Sequence, residues 1–226
     1  MGRVMVYKIN IDMEDVFALR LAHATEVGAM AAARMSGRGD KNLADQAAVE
    51  AMRQYLNTVD FAGRVVIGEG ERDQAPMLFI GEKLGLKQPG RQQQALDIAV
   101  DPLENTNATA AGLWNAISVL AAAETGGLLH APDMYMEKLV VGKEAVGKVD
   151  LDAPVGVNLR AVARALDRKI EDLVIVVLDR DRNEQLIKDI RKAGARVKLI
   201  LDGDLSGGIA AAVRGTGVHA LMGIGA

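Results

Sequence analysis

Cysteine is absent, which excludes a disulfide framework, a thiolate metal site and a thiol nucleophile. Aromatic side chains are scarce, with three Phe, three Tyr and one Trp in 226 residues, and the formal net charge is only −3. A nucleic-acid binder needs a basic face and stacking rings, so this composition argues against one. Long apolar runs are missing too. The longest uncharged stretch, Asn105 to Ala123, carries Asn105, Thr106, Asn107, Thr109, Asn115 and Ser118, too polar for a membrane span. The start, Met1-Gly2-Arg3-Val4, shows no apolar secretory region followed by a cleavage site. The expectation is a cytoplasmic protein that engages neither nucleic acid nor membrane.

Apolar residues at 50% and charged residues at 25% are ordinary globular values, and the length suits one large domain or two lobes with a real core. An Ala-rich helix is expected over 13–35, a break at Ser36-Gly37-Arg38-Gly39-Asp40, and a second helix over 43–56. Strands are expected at 64–68, at 95–100 where Asp101-Pro102 halts the ladder, and more weakly at 115–123. Composition shifts near Val149 to Pro154, which places a lobe boundary at residue 150, with lobes 1–150 and 151–226. Beyond it helices at 159–166, 183–192 and 205–213 alternate with strands at 173–178, 196–201 and 218–222. That alternation marks a parallel α/β layer. The last strand leads into Gly223-Ile224-Gly225-Ala226 with no later helix to cover it, so an uncovered apolar strand is expected there.

The acids fall at telling places. Asp45 opens a helix after a Gly-rich loop, Glu69 and Glu71 follow a strand, and Asp101 and Glu104 follow another. Carboxylates at strand ends and helix starts converge at a sheet edge and suit a hard cation bound through oxygen. With no cysteine and only His23, His130 and His219, Mg²⁺ or Mn²⁺ fits better than Zn²⁺ or Cu²⁺. Acids in such places also serve as helix caps or solvated charge, and spacing leaves both readings open. A helix starting near Thr106 would offer its N–H groups to a phosphate beside the two carboxylates, or would simply be a capped strand-to-helix turn. Arg180 and Arg182 read either as a phosphate fork or as a solvated basic loop. Asp202-Gly203-Asp204 is either a tight turn or a pair of hydroxyl acceptors. Gly37 to Gly39 and Gly207-Gly208 match neither dinucleotide nor P-loop spacing.

Seven segments, in order, resemble one family. They are Gly37-Arg38-Gly39-Asp40-Lys41-Asn42, Val66 to Glu71 with Asp73 and Ala75-Pro76-Met77, Asp97 to Glu104, Ala131 to Met136, Gly194 to Val197, Asp202-Gly203-Asp204 and Met222 to Gly225. Together they resemble the class II fructose-1,6-bisphosphatases, including the bifunctional fructose/sedoheptulose bisphosphatases of cyanobacteria. The third segment is a form of the signature shared with lithium-sensitive inositol phosphatases. The resemblance implies a layered α/β sugar-phosphatase fold of the inositol monophosphatase/fructose bisphosphatase type. It implies a metal-dependent hydrolase of a sugar bisphosphate's 1-phosphate, in gluconeogenesis or the Calvin cycle, and a homo-oligomer. Metal ligation by Asp45, Glu69, Asp101 and Glu104 is implied. Thr106 would position the attacking water, with Asp73 and Lys41 nearby. Glu104, Asn105, Thr106, Tyr135, Arg180, Asp181, Arg182, Asp202, Gly203, Asp204 and Ala226 would line the substrate pocket. The sequence departs from the family at Asn105 (usually Gly), Gln74 (usually an acid) and Asn183 (usually His). It also stops where members continue through a Pro-Glu-Gly segment, so the resemblance implies a C-terminally shortened chain. The alternative expectation is a catalytically weak homologue serving as a binding or assembly partner.

Overall fold

The computed structural model describes residues 13–70, 77–88, 90, 92–129 and 134–225. The chain forms two compact units, one of Met1–Ala110 and Ser118–His130, the other of Ala111–Ile117 and Ala131–Ala226. The composition shift at residue 150 therefore lies inside the second unit, because strand β5 (Met136–Val141) is already hydrogen-bonded into the second unit's sheet. No helix among the described residues is long and apolar enough to cross a membrane.

In the first unit, helices α1 (Met13–Ala33) and α2 (Lys41–Leu56) pack on a sheet of β1 (Ala62–Ile67), β2 (Lys83–Leu84), β3 (Ala95–Glu104) and β4 (Ile117–Glu124), in the order β2-β1-β3-β4. β1 runs parallel to β3 and antiparallel to β2. Helix α2 is set off by Asp40, whose carboxylate accepts the Leu43 N–H at 2.9 Å, a cap worth about 1 kcal/mol. Its inward face carries Val49, Met52 and Leu56 onto Phe61, Val65, Leu96 and Ile98. Full burial of Met52, Leu56 and Phe61 contributes roughly 1.5–3 kcal/mol each before ordering entropy is counted.

β3 does not stop at Asp101-Pro102; it runs on to Glu104. Its last pairing with β1 is Ala99 opposite Ile67, so Pro102, which has no N–H, removes no bond from that ladder. The register between β1 and β3 slips between Val65 and Ile67, a bulge immediately before Gly68 and Glu69.

The second unit alternates as expected: α4 (Val155–Ala165), β6 (Val174–Leu178), α5 (Glu184–Lys192), β7 (Arg196–Ile200), α6 (Asp204–Ala212) and β8 (Ala220–Gly225). Its sheet is ordered β5-β8-β6-β7, with β6 parallel to both neighbours and β5 antiparallel at one edge. The expected uncovered strand is instead buried. Ala220 and Met222 join Leu159, Val162, Ile187 and Ile190 on one face, and Leu221 packs with Val176 and Ala211 on the other. The two-residue alternation of β8 thus serves both layers. Apolar surface lies elsewhere, on α6 and just beyond it, where Leu205, Ile209 and Val213 stand exposed at four-residue spacing.

Candidate functional site

In the first unit the candidate residues gather beyond the carboxyl ends of the parallel strands β1 and β3, where ligands of α/β sheets bind. Glu69 follows β1 by two residues, and Asp101 and Glu104 lie on β3 beyond its last pairing with β1. Asp45 lies in the N-terminal half of α2, and Thr106 is the first residue of α3 (Thr106–Ala111). Two backbone bonds dock the loop before α2 against the end of α3: Gly37 N–H to the Thr109 carbonyl and Gly39 N–H to that of Ala110, both 2.9 Å. The helices bearing Asp45 and Thr106 are therefore tied together. Lys41 is exposed at the start of α2, and Asp73 lies outside the described residues.

Burial and mutual repulsion act on the acids. Glu69 is pushed up to about 7, first by burial and then by the charges of Asp45 and Asp101. Asp101 rises to about 6 through burial and the charge of Asp45, against the opposing pull of the Leu103 N–H at 3.1 Å. Burial raises Asp45 as well. Oxygen-only side chains of this kind are the ligand type that hard divalent cations take. Among the described residues, no group of three His, Asp or Glu side chains closes to the spacing of a shared ion.

Asn105, between Glu104 and Thr106, has φ 69°, the left-handed conformation that favours Gly and then Asn. Its side chain turns back to accept the Ala108 N–H at 3.1 Å, so it caps α3. The Glu69 segment needs a glycine for a different reason. A Cβ on Gly68 would stand 2.1 Å from the Leu78 carbonyl oxygen.

In the second unit the candidates again follow the carboxyl ends of parallel strands. Arg180, Asp181 and Arg182 follow β6 and are exposed, and Asp202, Gly203 and Asp204 follow β7. The Arg182 guanidinium lies 4.3 Å over the ring of Tyr135, while its Nε donates to the Ile224 carbonyl at 2.9 Å. Gly203 (φ 79°) turns the chain into α6, and Asp204 is paired with Lys138 at 2.8 Å. Ala226 lies outside the described residues. Two further polar groups are buried, one marked in the sequence only by its departure from the family's usual His and the other not at all. Asn183 is buried and bonded to the end of β8, and Glu82 is buried and bonded to the Leu78 N–H. Neither sits in a pattern that marks a polar residue for burial.

Two α/β units, each presenting acids or arginines beyond the carboxyl ends of parallel strands, define a sugar-phosphatase-like α/β protein. Residues 15–226 match the model of a single family, the bacterial fructose-1,6-bisphosphatase, glpX-encoded. The chain belongs to that family. It is 52% identical over 222 residues to the D-fructose 1,6-bisphosphatase class 2/sedoheptulose 1,7-bisphosphatase of Synechococcus sp. (strain JA-3-3Ab), and 51% identical over 222 residues to the protein of that name from Gloeobacter violaceus (strain ATCC 29082 / PCC 7421). Each match covers 95% of this chain and 64% of the relative, so the chain spans a little under two thirds of those proteins' length.

Proposed function

We propose that the protein hydrolyses the 1-phosphate of fructose 1,6-bisphosphate, and of sedoheptulose 1,7-bisphosphate, using Mn²⁺ or Mg²⁺ held by Asp45, Glu69, Asp101 and Glu104. The pathway that follows from such a substrate is gluconeogenesis or the Calvin cycle. The observation that carries the reading is the carboxylate set at the ends of β1 and β3, in which the charge of Asp45 raises both Glu69 and Asp101. Bound there, a divalent ion acidifies a water and neutralises phosphoryl oxygens.

The chain's own residues supply the rest. The Thr106 hydroxyl, two residues from Glu104, orients the attacking water and takes part in moving its proton. Arg182 is fixed by Tyr135 and by the Ile224 carbonyl, which leaves its terminal N–H groups as a set fork for a phosphate. Arg180 adds charge beside it, and Asp202 and Asp204 accept hydroxyls of the sugar. Phosphate-monoester hydrolysis is among the slowest uncatalysed reactions, so this much preorganised charge is what it demands.

The test is phosphate release from fructose 1,6-bisphosphate with Mn²⁺, with Mg²⁺ and with chelator. Release should require the metal and should vanish in Asp101→Asn. Release that persists in chelator, or in Asp101→Asn, overturns the reading.

A further inference from the structure

One more buried acid, Glu82, reaches the backbone of Leu78, whose carbonyl accepts the Glu69 N–H. Glu82 is 6% exposed, and both of its carboxylate oxygens are used. Oε1 accepts Nε of Arg53, on α2, at 2.6 Å, and Oε2 accepts the N–H of Leu78 in a short hydrogen bond. Leu78 is fully buried and held at φ 52°, a left-handed conformation that a side chain disfavours. Its carbonyl in turn accepts the N–H of Glu69 at 3.1 Å, at the place where Gly68 leaves room for no Cβ. The same turn is tied to β1 through Gly81 N–H to the Val65 carbonyl and Val65 N–H to the Glu82 carbonyl, at 2.8 and 2.9 Å.

We infer that Glu82, together with Arg53, is a positioning residue for the metal carboxylates. The link runs from α2, which carries Asp45, through Arg53, Glu82 and Leu78 to the backbone of Glu69. Added to the core packing of α2 on β1, it fixes the separation of two acids that repel each other. A buried carboxylate that accepts both a guanidinium and a strained backbone N–H is a rigid strut, because both of its partners are lost if it moves. The inference rests on the reading of Asp45 and Glu69 as metal ligands.

The test measures Mn²⁺ affinity by electron paramagnetic resonance of the free ion, alongside amide hydrogen exchange of the metal-free protein. Glu82→Met should weaken Mn²⁺ binding by about ten- to a hundredfold, the usual effect of losing a group that orients a ligand. It should also speed exchange at the Glu69 amide while amides of the β1–β3 ladder stay protected. Arg53→Met, at a partly exposed position, should weaken binding in the same direction, and Arg53→Lys should restore most of it. Val59→Ala, an ordinary loss of packing in the same core, should lower the melting temperature and leave the affinity unchanged. Wild-type affinity in both Glu82→Met and Arg53→Met, with Glu69→Gln still abolishing binding, overturns this inference and spares the metal reading. A wild-type protein that binds no Mn²⁺ overturns both.

Discussion

Asn183 holds Ile224 from both sides: its Oδ1 accepts the Ile224 N–H at 2.8 Å, and its Nδ2 donates to the Ile224 carbonyl at 3.3 Å. The same Nδ2 reaches the Leu178 carbonyl at 3.1 Å, so one buried amide fastens the carboxyl ends of β6 and β8. Arg182 leans on the same Ile224 carbonyl. Asn183→Ala should therefore lower stability by roughly 2–4 kcal/mol, since it strands buried backbone groups rather than exposing them. Urea unfolding measures this, and a loss below about 0.5 kcal/mol would show that the clamp is dispensable.

Metal should stabilise the protein, and its effect should depend on pH. Glu69 rises from 4.5 to about 7 and Asp101 from 3.8 to about 6, so the metal-free folded state binds their protons more tightly than the unfolded chain does. That contribution is complete below about pH 4 and is lost as pH rises through 6 and 7. Millimolar Mn²⁺ should raise the melting temperature more at pH 8 than at pH 6, because the ion competes with those protons. In Glu69→Gln the gain should disappear. Equal melting with and without metal at pH 8 counts against the site.

His219 gives a second pH signature, in the other unit. Its Nδ1 accepts the Val174 N–H at 2.9 Å, a bond only the neutral ring can make, and burial, then the charges of Arg168 and Arg196, hold it below its usual 6.5 against the charge of Asp172. The folded state thus binds this proton less tightly than the unfolded chain. The stability it gives is present above pH 6.5 and is lost as pH falls below it. His219→Asn keeps an acceptor for Val174 and cannot titrate. Between pH 7 and pH 5 the wild type should lose more melting temperature than this variant; parallel curves would refute the assignment.

At Asn105 the order of variants is the prediction. Asn105→Gly keeps the positive φ and gives up only the cap on Ala108, a few tenths of a kcal/mol, whereas Asn105→Ala should cost about 1–2 kcal/mol more. Thermal unfolding of the two variants side by side decides it.

Thr106→Val tests the reaction itself. Removing the hydroxyl should cut turnover by roughly two to four powers of ten, with KM little changed, as expected for a lost proton-transfer group. Unaltered turnover removes Thr106 from the chemistry.

The second unit was the more legible in the sequence. β6, α5 and β7 were placed to within a residue or so, because apolar strands such as Val174–Leu178 and amphipathic helices such as Glu184–Lys192 alternate without interruption. β5 escaped notice: Met136-Glu137-Lys138 shows no period, and its status as a strand comes from pairing with β8, far along the chain. In the site, Glu69 and Asp101 could be read from the strands that precede them. The stacking of Arg182 on Tyr135 and the grip of Glu82 on Leu78 could not, since each depends on how distant segments meet. In the sequence Asn183 stands out only as a departure from the family's usual His, and its burial against Ile224 shows the fastening that position makes.

The two units exchange chain three times, at residues 110/111, 117/118 and 130/131. No single break in the backbone can release both intact, so neither can be expressed as one uninterrupted fragment holding all of its own residues. The order of synthesis is constrained in the same way. β4 is made directly behind a strip that belongs to the other unit, so a nascent first unit waits with one flank of β3 unpaired until residue 124 has emerged.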